Sequence, residues 1–526
     1  MNNQSTRAEL SKESQAILKQ LKPLLPRLNQ LEGTYASIYY ESKSKTTDAV
    51  DLKKSTITHD RVQGVVFRIY DGFTLFEEAT DELGRDDLES SVDQLLKRVR
   101  SQKGSSQTPR PYIAPTWDER LKVTLDPEIR SQIPNNPTPE TLVHFGIRYQ
   151  KNPFLLTDAK RLQSLKDLMT KLNTLSPLAG LSPDDLTYIQ IRQLLAREES
   201  IFIDQEVTLS QTLFRLFRSV AVMSGSEKNQ ALAGGLGGSE CWEISDEELI
   251  EMLTDLQRLT EHEKLTPGHY RVLFSPSLSG VLAHEAFGHS QEGDTCARGR
   301  SKAWDLYQSQ TTVGNQHATI LNNPALFENG DSSFAAWGSY FFDEEGWLSQ
   351  EQEILSQGKL QRPMTHLTSS LRLNVPRSAN GKRENFSHGV YTRQTNTYFS
   401  AGKSTLRELL DQLKDGYLAT HAAGGMEDPK GMGIQVGIAY LKEVKDGQLT
   451  GRVFKGPSGG DIQMTGYTPD VLNSIIGKSK ISPHTKDQDR AKHPFNEVGG
   501  CGKYHKEFVY AGCGGPYLLM ENITLG

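Results

Sequence analysis

The chain has 526 residues, more than one compact core usually accommodates, so its length predicts two or more domains. Its 59 Lys and Arg residues nearly balance 65 Asp and Glu, and the formal charge of -6 gives no electrostatic case for binding nucleic acid. The first ten residues are polar and no run of about 18 apolar residues occurs, so we expect neither secretion nor a membrane span.

The N-terminal part of the sequence mixes helical and strand patterns. In chain order these predict a helix at 17–28 that breaks near its prolines, strands at 35–41, 65–69 and 73–77, and a helix at 88–99. Asp71-Gly72, between the second and third of these strands, indicates a hairpin turn. Residues 101–140 are rich in Ser, Gln and Pro, so we expect an irregular insertion there. A helix at 162–172 and a strand at 200–208 are predicted to complete this domain.

The C-terminal part looks richer in strands. Glycines at 234, 235, 237 and 238 predict a flexible loop, because Glu240 stands where a phosphate-binding GxGxxG pattern needs glycine. A capping box from Ser245 to Glu248 predicts a helix start, a strand follows at 270–274, and Ser275-Pro276 predicts a second helix start. A helix at 406–413 and a hairpin of strands at 433–443 and 449–455 come later.

These patterns predict an α+β fold with an N-terminal α+β domain, residues 1–240, and a β-rich C-terminal domain, residues 241–526. The four cysteines, at 241, 296, 501 and 513, are too few and too irregularly spaced for a disulfide framework. We therefore expect a reducing, cytoplasmic location, with any special cysteine available to bind metal.

One short segment carries metal-binding residue types. His284, Glu285 and His289 form an H-E-x-x-x-H pattern, one residue longer than the familiar zinc-protease pattern. On an ideal helix the shorter spacing separates the histidines by about 40°, whereas five residues give about 140°, too wide for one metal. A regular helix therefore cannot hold the site. Either a π-bulge restores the facing, or Gly288 ends the helix and His289 approaches from the next turn.

Two neutral imidazoles and a third ligand would leave one tetrahedral position open for water, as a catalytic zinc requires. Glu285 beside a ligand is placed to take the proton of that water and to pass it to a leaving amine. The competing interpretation is a pair of histidines packed at a helix end. The spacing does not choose among the candidates for the third ligand, which are Cys296, Cys501, Cys513, Glu292, Asp294 and His388.

Residues 280–294 resemble the signature of the TldD/PmbA metallopeptidase family, whose members were once called modulators of DNA gyrase. Further matches follow in the family's order at 342–346, 383–388, 393–397, 402–405 and Cys501-Gly-Lys503. The resemblance covers most of residues 265–526, is weaker at 30–100 and 195–240, and is absent from the insertion. After Lys503 the sequence departs from the family pattern, because Tyr504-His505-Lys506 replaces smaller residues.

The resemblance implies a Zn²⁺ ion held by His284, His289 and Cys501, with Glu285 as the general base. By the same comparison Cys296 and Cys513 are ordinary free thiols. His388 is a candidate for a hydrogen bond to the tetrahedral intermediate. The implied assembly is a dimer that encloses the active sites, either a homodimer or a heterodimer with a PmbA-like homologue.

The predicted function is a zinc-dependent peptidase that hydrolyses unfolded or extended polypeptides. The first alternative is a non-catalytic partner or scaffold subunit, since PmbA-like members resemble the enzyme but lack the metal ligands. This chain keeps all four key residues, which argues against that alternative. A second alternative, a regulator that binds gyrase or DNA, has only the older family name in its favour.

Overall fold

The computed structural model describes residues 6–101, 109–328, 334–481, 497–503 and 506–526. Helices make up 28% and strands 39% of the structure, in several sheets, which confirms the predicted α+β class. None of the helices in these ranges is long and apolar enough to cross a membrane. The α-helices are α1 (Lys12–Leu21), α2 (Leu25–Leu28), α3 (Arg85–Ser101), α4 (Trp117–Val123), α5 (Pro127–Arg130), α6 (Asp158–Leu175), α7 (Asp246–Leu259), α8 (Pro276–Ala283), α9 (Gly293–Ala297), α10 (Ala303–Gln308), α11 (Leu367–Leu373), α12 (Leu406–Leu413) and α13 (Thr468–Asn473).

The strands fall into two groups along the chain. The first group is β1 (Thr6–Arg7), β2 (Tyr35–Asp51), β3 (Ser55–Tyr70), β4 (Leu75–Thr80), β5 (Leu142–Gly146), β6 (Arg148–Tyr149), β7 (Tyr188–Ile203), β8 (Thr208–Ser224) and β9 (Glu227–Leu236). The second group is β10 (Glu263–Lys264), β11 (Gly268–Phe274), β12 (Ile320–Asn322), β13 (Gln352–Ser356), β14 (Lys359–Leu360), β15 (Gly381–Lys382), β16 (Tyr391–Thr392), β17 (Asn396–Phe399), β18 (Gly416–Glu427), β19 (Gly433–Lys445), β20 (Gln448–Lys455), β21 (Ile462–Tyr467), β22 (Ile475–Lys478), β23 (Glu497–Lys503), β24 (Lys506–Gly514) and β25 (Leu518–Leu525).

The N-terminal sheet has the strand order β4-β3-β2-β7-β8-β5, and β9 also pairs with β8. Its long antiparallel strands alternate buried and more exposed side chains over part of their length, as a sheet covered by helices on one face requires. Helices α1 and α3 pack on one part of the sheet, and α6 and α7 pack on another. Helix α7 follows residue 240 in sequence and yet shares the core of this sheet, and the division at 240/241 stays a prediction.

The C-terminal strands form two larger sheets. In the first, β19 pairs with both β18 and β21, and the pairings β18–β11, β11–β25 and β25–β21 complete a closed ring of five strands. The second sheet has the order β14-β13-β12-β17-β24-β23. Helix α8 buries Leu278 and Leu282 in the core that the two sheets share. This helix therefore starts from the ring of strands and leads directly into the histidine motif.

Several local predictions are confirmed. Strands β3 and β4 form the predicted hairpin, in which Asp71 Oδ1 accepts hydrogen bonds from the backbone N–H groups of Phe73 and Thr74. Gly72 in this turn has a φ of +92°, a conformation that favours glycine. The capping box at Ser245 and the proline start of α8 are also present.

Three local predictions are wrong. Gly234 and Gly235 lie in β9 and pair with β8, so this part of the glycine-rich segment is a strand rather than a flexible loop, while Gly237 and Gly238 form a bend after it. A Cβ atom on Gly235 would lie 2.6 Å from the carbonyl oxygen of Ala335, which explains the glycine by close packing. Residues 102–108 of the insertion lie outside the described ranges, and the rest of 101–140 contains α4 and α5. Residues 200–208 contain the turn between β7 and β8.

Candidate metal centre

The histidine motif sits on a π-turn at the end of α8. The π-helical segment spans His284–Gly288, and the backbone N–H of His289 donates to the carbonyl of His284, five residues earlier. The two imidazole rings lie on the same side, with centroids 4.7 Å apart and planes perpendicular. Of the two predicted solutions to the long spacing, the π-bulge is therefore confirmed.

Gln394, which is distant in sequence but adjacent in space, holds this turn in place. Its Nε2 donates to the carbonyl of His284 at 3.2 Å, and its Oε1 accepts from Thr397 Oγ1 at 2.8 Å. A Cβ atom on Gly288 would lie 2.0 Å from Gln394 Oε1. Gly288 is therefore required by the close approach of this amide. The role of Gln394 was not predictable from the sequence, because 110 residues separate it from His284.

Cys501 reaches the histidines from strand β23, which pairs with β24 as a hairpin. Its Sγ lies 3.4 Å from His289 Nε2. One ligand atom from each of His284, His289 and Cys501 lies within 4.8 Å of the other two. Among the described residues, one other potential metal-binding group appears, formed by Glu285, His289 and Glu427. The structure thus brings together the three residues that the resemblance implies as ligands.

The other candidates for the third ligand do not join His284 and His289 in a three-residue metal-binding group. Cys296 Sγ donates to the carbonyl of Ser290, and burial raises its pKa to about 12, so it is a protonated thiol. Cys513 lines the same pocket as Cys501 but belongs to neither potential metal-binding group. The carboxylates of Glu292 and Asp294 both accept from Lys506 Nζ and are described below.

His388 is placed away from the three ligands. Its Nδ1 contacts Asn385 Oδ1 at 3.1 Å and Ser387 Oγ at 3.4 Å, and its Nε2 lies 3.9 Å from a carboxylate oxygen of Glu384. Among the described residues, His388 is not one of those that line the pocket beside the ligands. The structure therefore does not bring His388 together with the other predicted site residues.

The charges of Cys501 and His289 depend on each other. Burial opposes ionisation of the Cys501 thiol, but His289 and His284 outweigh burial and hold its pKa well below the ordinary value. Burial likewise opposes protonation of His289, while Cys501 and Glu292 raise its pKa well above the ordinary value. In the metal-free protein, a thiolate and an imidazolium therefore stabilise each other. A bound cation would replace the proton that this pair shares.

Glu285 is buried beside the ligands. Burial raises the pKa of its carboxyl group, His284 and His289 oppose that rise, and Glu427 adds to it. A Cβ atom on Gly425 would lie 2.6 Å from Glu285 Cγ, so the tail of β18 packs directly on this side chain. The packing leaves the carboxylate few alternative positions.

The ligands open into a cavity of about 540 Å³. Its walls are the π-turn, the tail of β18 and the hairpin of β23 and β24. Glycines supply much of the lining, which leaves backbone N–H and C=O groups accessible to a bound molecule. The lining glycines are Gly424, Gly425, Gly499, Gly500, Gly502 and Gly512.

Behind the ligands lies a buried network of charged side chains. Glu292 Oε1 is 3.4 Å from His289 Nδ1, and its Oε2 is 2.6 Å from Lys506 Nζ. Arg393 donates to the backbone carbonyls of Cys501 and Glu507. Sequence reasoning considered Glu292 only as a ligand and gave no role to Arg393 or Lys506. Tyr504 and His505, where the family pattern is also broken, lie outside the described residues.

Comparisons with known proteins identify relatives of this chain. Residues 267–526 match the family model described as the PmbA/TldA metallopeptidase C-terminal domain. The zinc metalloprotease TldD homolog of Saccharolobus solfataricus is 21% identical over 510 residues, which cover 95% of this chain and 98% of that protein. A metalloprotease of Methanothermobacter thermautotrophicus is 24% identical over 370 residues, 69% of this chain and 73% of that protein.

The fold also matches a solved structure. TldE from Thermococcus kodakarensis superposes with a TM-score of 0.66 at 12% identity, over 97% of this chain and all of that one. The names of the relatives support a metallopeptidase-type function that uses a metal cofactor. From the family model and the curated relatives, we conclude that residues 267–526 of the chain belong to the PmbA/TldD family.

Proposed function

We propose that this chain is a zinc-dependent peptidase that cleaves extended polypeptides, with His284, His289 and Cys501 as metal ligands and Glu285 as the general base. One observation carries the proposal. Two imidazoles and a thiol that are up to 217 residues apart in sequence place their ligand atoms within 4.8 Å of one another, beside a buried carboxylate. Packing alone does not require such a convergence of donors.

The donor set fits zinc. Thiolate and imidazole are ligands of zinc, whereas magnesium and calcium prefer oxygen. Tetrahedral zinc with ordinary bond lengths separates a sulfur and a nitrogen ligand by about 3.6 Å. The separation of 3.4 Å between Cys501 Sγ and His289 Nε2 is close to this value. Three protein ligands leave a fourth position open, as in catalytic rather than structural zinc sites.

When bound, the zinc would polarise the scissile carbonyl and lower the pKa of a water molecule at the open position. Glu285 would accept the proton of the attacking water and transfer it to the leaving amine. Burial raises the pKa of the Glu285 carboxyl group, and a carboxylate with a raised pKa is a stronger base near neutral pH. Gly425 and the π-turn hold this carboxylate on the cavity side of the ligands.

The C-terminal end of β18 favours an extended polypeptide as the substrate. Strand β18 pairs with β19 on one side and with β11 on the other. On the β11 side only Tyr417–Ala419 are paired, and no other strand in the described ranges pairs with the rest of this edge of β18. Residues 423–426 are exposed there, and three of them line the metal cavity. A peptide that adds as a strand at this edge would gain backbone hydrogen bonds without strict side-chain requirements. In a folded protein most backbone N–H and C=O groups are already paired, so few segments are available to add in this way.

The alternative is a non-catalytic partner subunit. The fold shared with TldE is compatible with that role, but the convergence of His284, His289, Cys501 and Glu285 is unnecessary for a scaffold. A DNA-binding regulator has no support in the charge of -6. We further propose that the active form is a homodimer or a heterodimer with a PmbA-like homologue.

The test is a digest of one protein in folded and permanently unfolded forms, followed by mass spectrometry. The zinc-loaded chain, alone or with a homologous partner, should cut only the unfolded form, at many sequences. A chelator should abolish cleavage and added zinc should restore it. Equal cleavage of both forms would refute the substrate proposal, and no cleavage of either form by any preparation would favour the scaffold.

A further inference from the structure

A buried carboxylate lies directly behind one of the proposed ligands. Glu292 is fully buried, and its Oε1 lies 3.4 Å from His289 Nδ1, whereas Cys501 Sγ lies nearer to Nε2, at 3.4 Å, than to Nδ1, at 3.9 Å. We propose that Glu292 is a positioning residue that fixes the orientation and tautomer of His289, and that Lys506 and Arg393 hold Glu292 in place for this task. The inference rests on the proposed metal centre.

The unsatisfied atom in this arrangement is Glu292 Oε1. Within the described structure it accepts no hydrogen bond, although the oxygen is buried. A buried carboxylate oxygen without a donor is costly, so a donor is expected at this point. In the metal-bound site, a neutral His289 with its proton on Nδ1 would supply that donor. Its Nε2 then keeps a lone pair that points toward Cys501 and the metal position.

Lys506 holds the other oxygen of the same carboxylate. Its Nζ lies 2.6 Å from Glu292 Oε2 and 3.0 Å from Asp294 Oδ1, and it also contacts the Thr392 carbonyl and Thr295 Oγ1. The side chain is 2% exposed, so these contacts are shielded from water. Lys506 is one of the residues at which the sequence departs from the family pattern. The Lys506 ammonium group is therefore a feature of this chain that the family pattern does not include.

Arg393 connects the carboxylate to the third ligand. Its guanidinium donates to the backbone carbonyl of Cys501, and its Nε lies 3.8 Å from Glu292 Oε1. The same arginine thus fixes the strand that carries Cys501 and neutralises the carboxylate behind His289. Two ligands from distant parts of the sequence share one buried support. Partners of this kind contribute about 10–100-fold to metal affinity in other metal sites.

The main test is Glu292→Gln, with zinc affinity measured by competition with a chromophoric chelator. If the amide oxygen faces His289, the amide NH₂ faces the Lys506 ammonium, donor against donor, and the reverse orientation loses the acceptor for His289. We expect zinc to bind about 10–100-fold more weakly. The Co²⁺-loaded variant should also show an altered visible spectrum, because the position of one ligand has changed.

Asp294→Asn is the matched control. Asp294 is also buried and also accepts from Lys506, but Glu292 rather than Asp294 faces the ring of His289. This variant should keep the wild-type zinc affinity and the wild-type Co²⁺ spectrum. Equal losses in both variants would mean that only the charge balance around Lys506 matters, which overturns the inference.

Glu292→Asp covers the case in which Glu292→Gln does not fold. It keeps the charge opposite Lys506 but withdraws the oxygen from His289, so it should fold and still bind zinc more weakly than the wild type. Wild-type affinity in a folded Glu292 variant would overturn the inference while leaving the peptidase proposal intact. Full hydrolysis by Glu285→Gln, together with weak zinc binding by Glu292→Gln, would refute the proposed base alone. A wild-type protein that binds no zinc would overturn both proposals.

Discussion

The contact between Gly288 and Gln394 predicts that Gly288→Ala destabilises the wild-type protein but stabilises a variant that lacks Gln394. Gly288 has φ of -57° and ψ of -58°, ordinary helical values, so alanine is compatible with the backbone. In the wild type, however, the new methyl group would lie 2.0 Å from Gln394 Oε1 and would displace that amide. Displacement removes the hydrogen bonds to the His284 carbonyl and from Thr397.

The magnitudes follow from these two bonds. Two hydrogen bonds at about 0.5–1.5 kcal/mol each give a loss of about 1–3 kcal/mol. The reduced flexibility of alanine in the unfolded chain offsets about 0.4–1 kcal/mol of this. Gly288→Ala should therefore destabilise the π-turn by about 1.3 kcal/mol, the difference between the midpoints of these two ranges. In a Gln394→Ala background the amide is absent, so the same substitution should stabilise the turn by about 0.4–1 kcal/mol.

Hydrogen exchange measured by mass spectrometry suits this test, because it reports the local free energy of opening in a chain too large for simple two-state unfolding. Peptides that cover residues 284–291 should exchange faster in each single variant than in the wild type. The double variant should exchange no faster than Gln394→Ala alone. Additive effects, within about 0.5 kcal/mol, would show that Gly288 and Gln394 are independent and would refute the reasoning.

Three further predictions concern the site and its surroundings. Cys501→Ser should lose most bound zinc by elemental analysis, whereas Cys513→Ser should keep it, and full occupancy in Cys501→Ser would exclude this thiol as a ligand. Glu285→Gln should retain zinc and lose hydrolysis of an unfolded substrate, so unchanged turnover would eliminate Glu285 as the base. Burial raises the pKa of Glu344 to about 8, above its ordinary value of 4.5, so its contribution to stability is complete below pH 4.5 and is lost as the pH rises toward 8. Glu344→Gln should flatten the decline in melting temperature between pH 5 and 8, and an unchanged decline would contradict this assignment.

The sequence predicted those parts of the site that depend on local spacing. The five-residue interval between His284 and His289 excluded a regular helix, and the observed π-turn is one of the two solutions that this geometry allows. The start of α8 and the capping box of α7 were likewise predictable, because each depends on a few neighbouring residues.

Interactions between distant segments were not predictable in this way. Spacing alone left six candidates for the third ligand, and only the resemblance pointed to Cys501. Gln394 and Lys506 act on the histidine turn from more than 100 residues away, and no local pattern announces such contacts. Gly235 was misinterpreted because its local sequence reads as a loop, whereas close packing against Ala335 is what requires the glycine.

The distance between His289 and Cys501 along the chain has a consequence for synthesis. The two residues are 212 positions apart, and Cys501 is held by the pairing of β23 with β24. At about 5–20 residues per second, a ribosome needs about 10–40 s to proceed from one to the other. During that interval the nascent chain carries both histidines and Glu285 but not yet Cys501. On the proposed function, a growing chain is therefore unable to digest itself or its unfolded neighbours on the polysome.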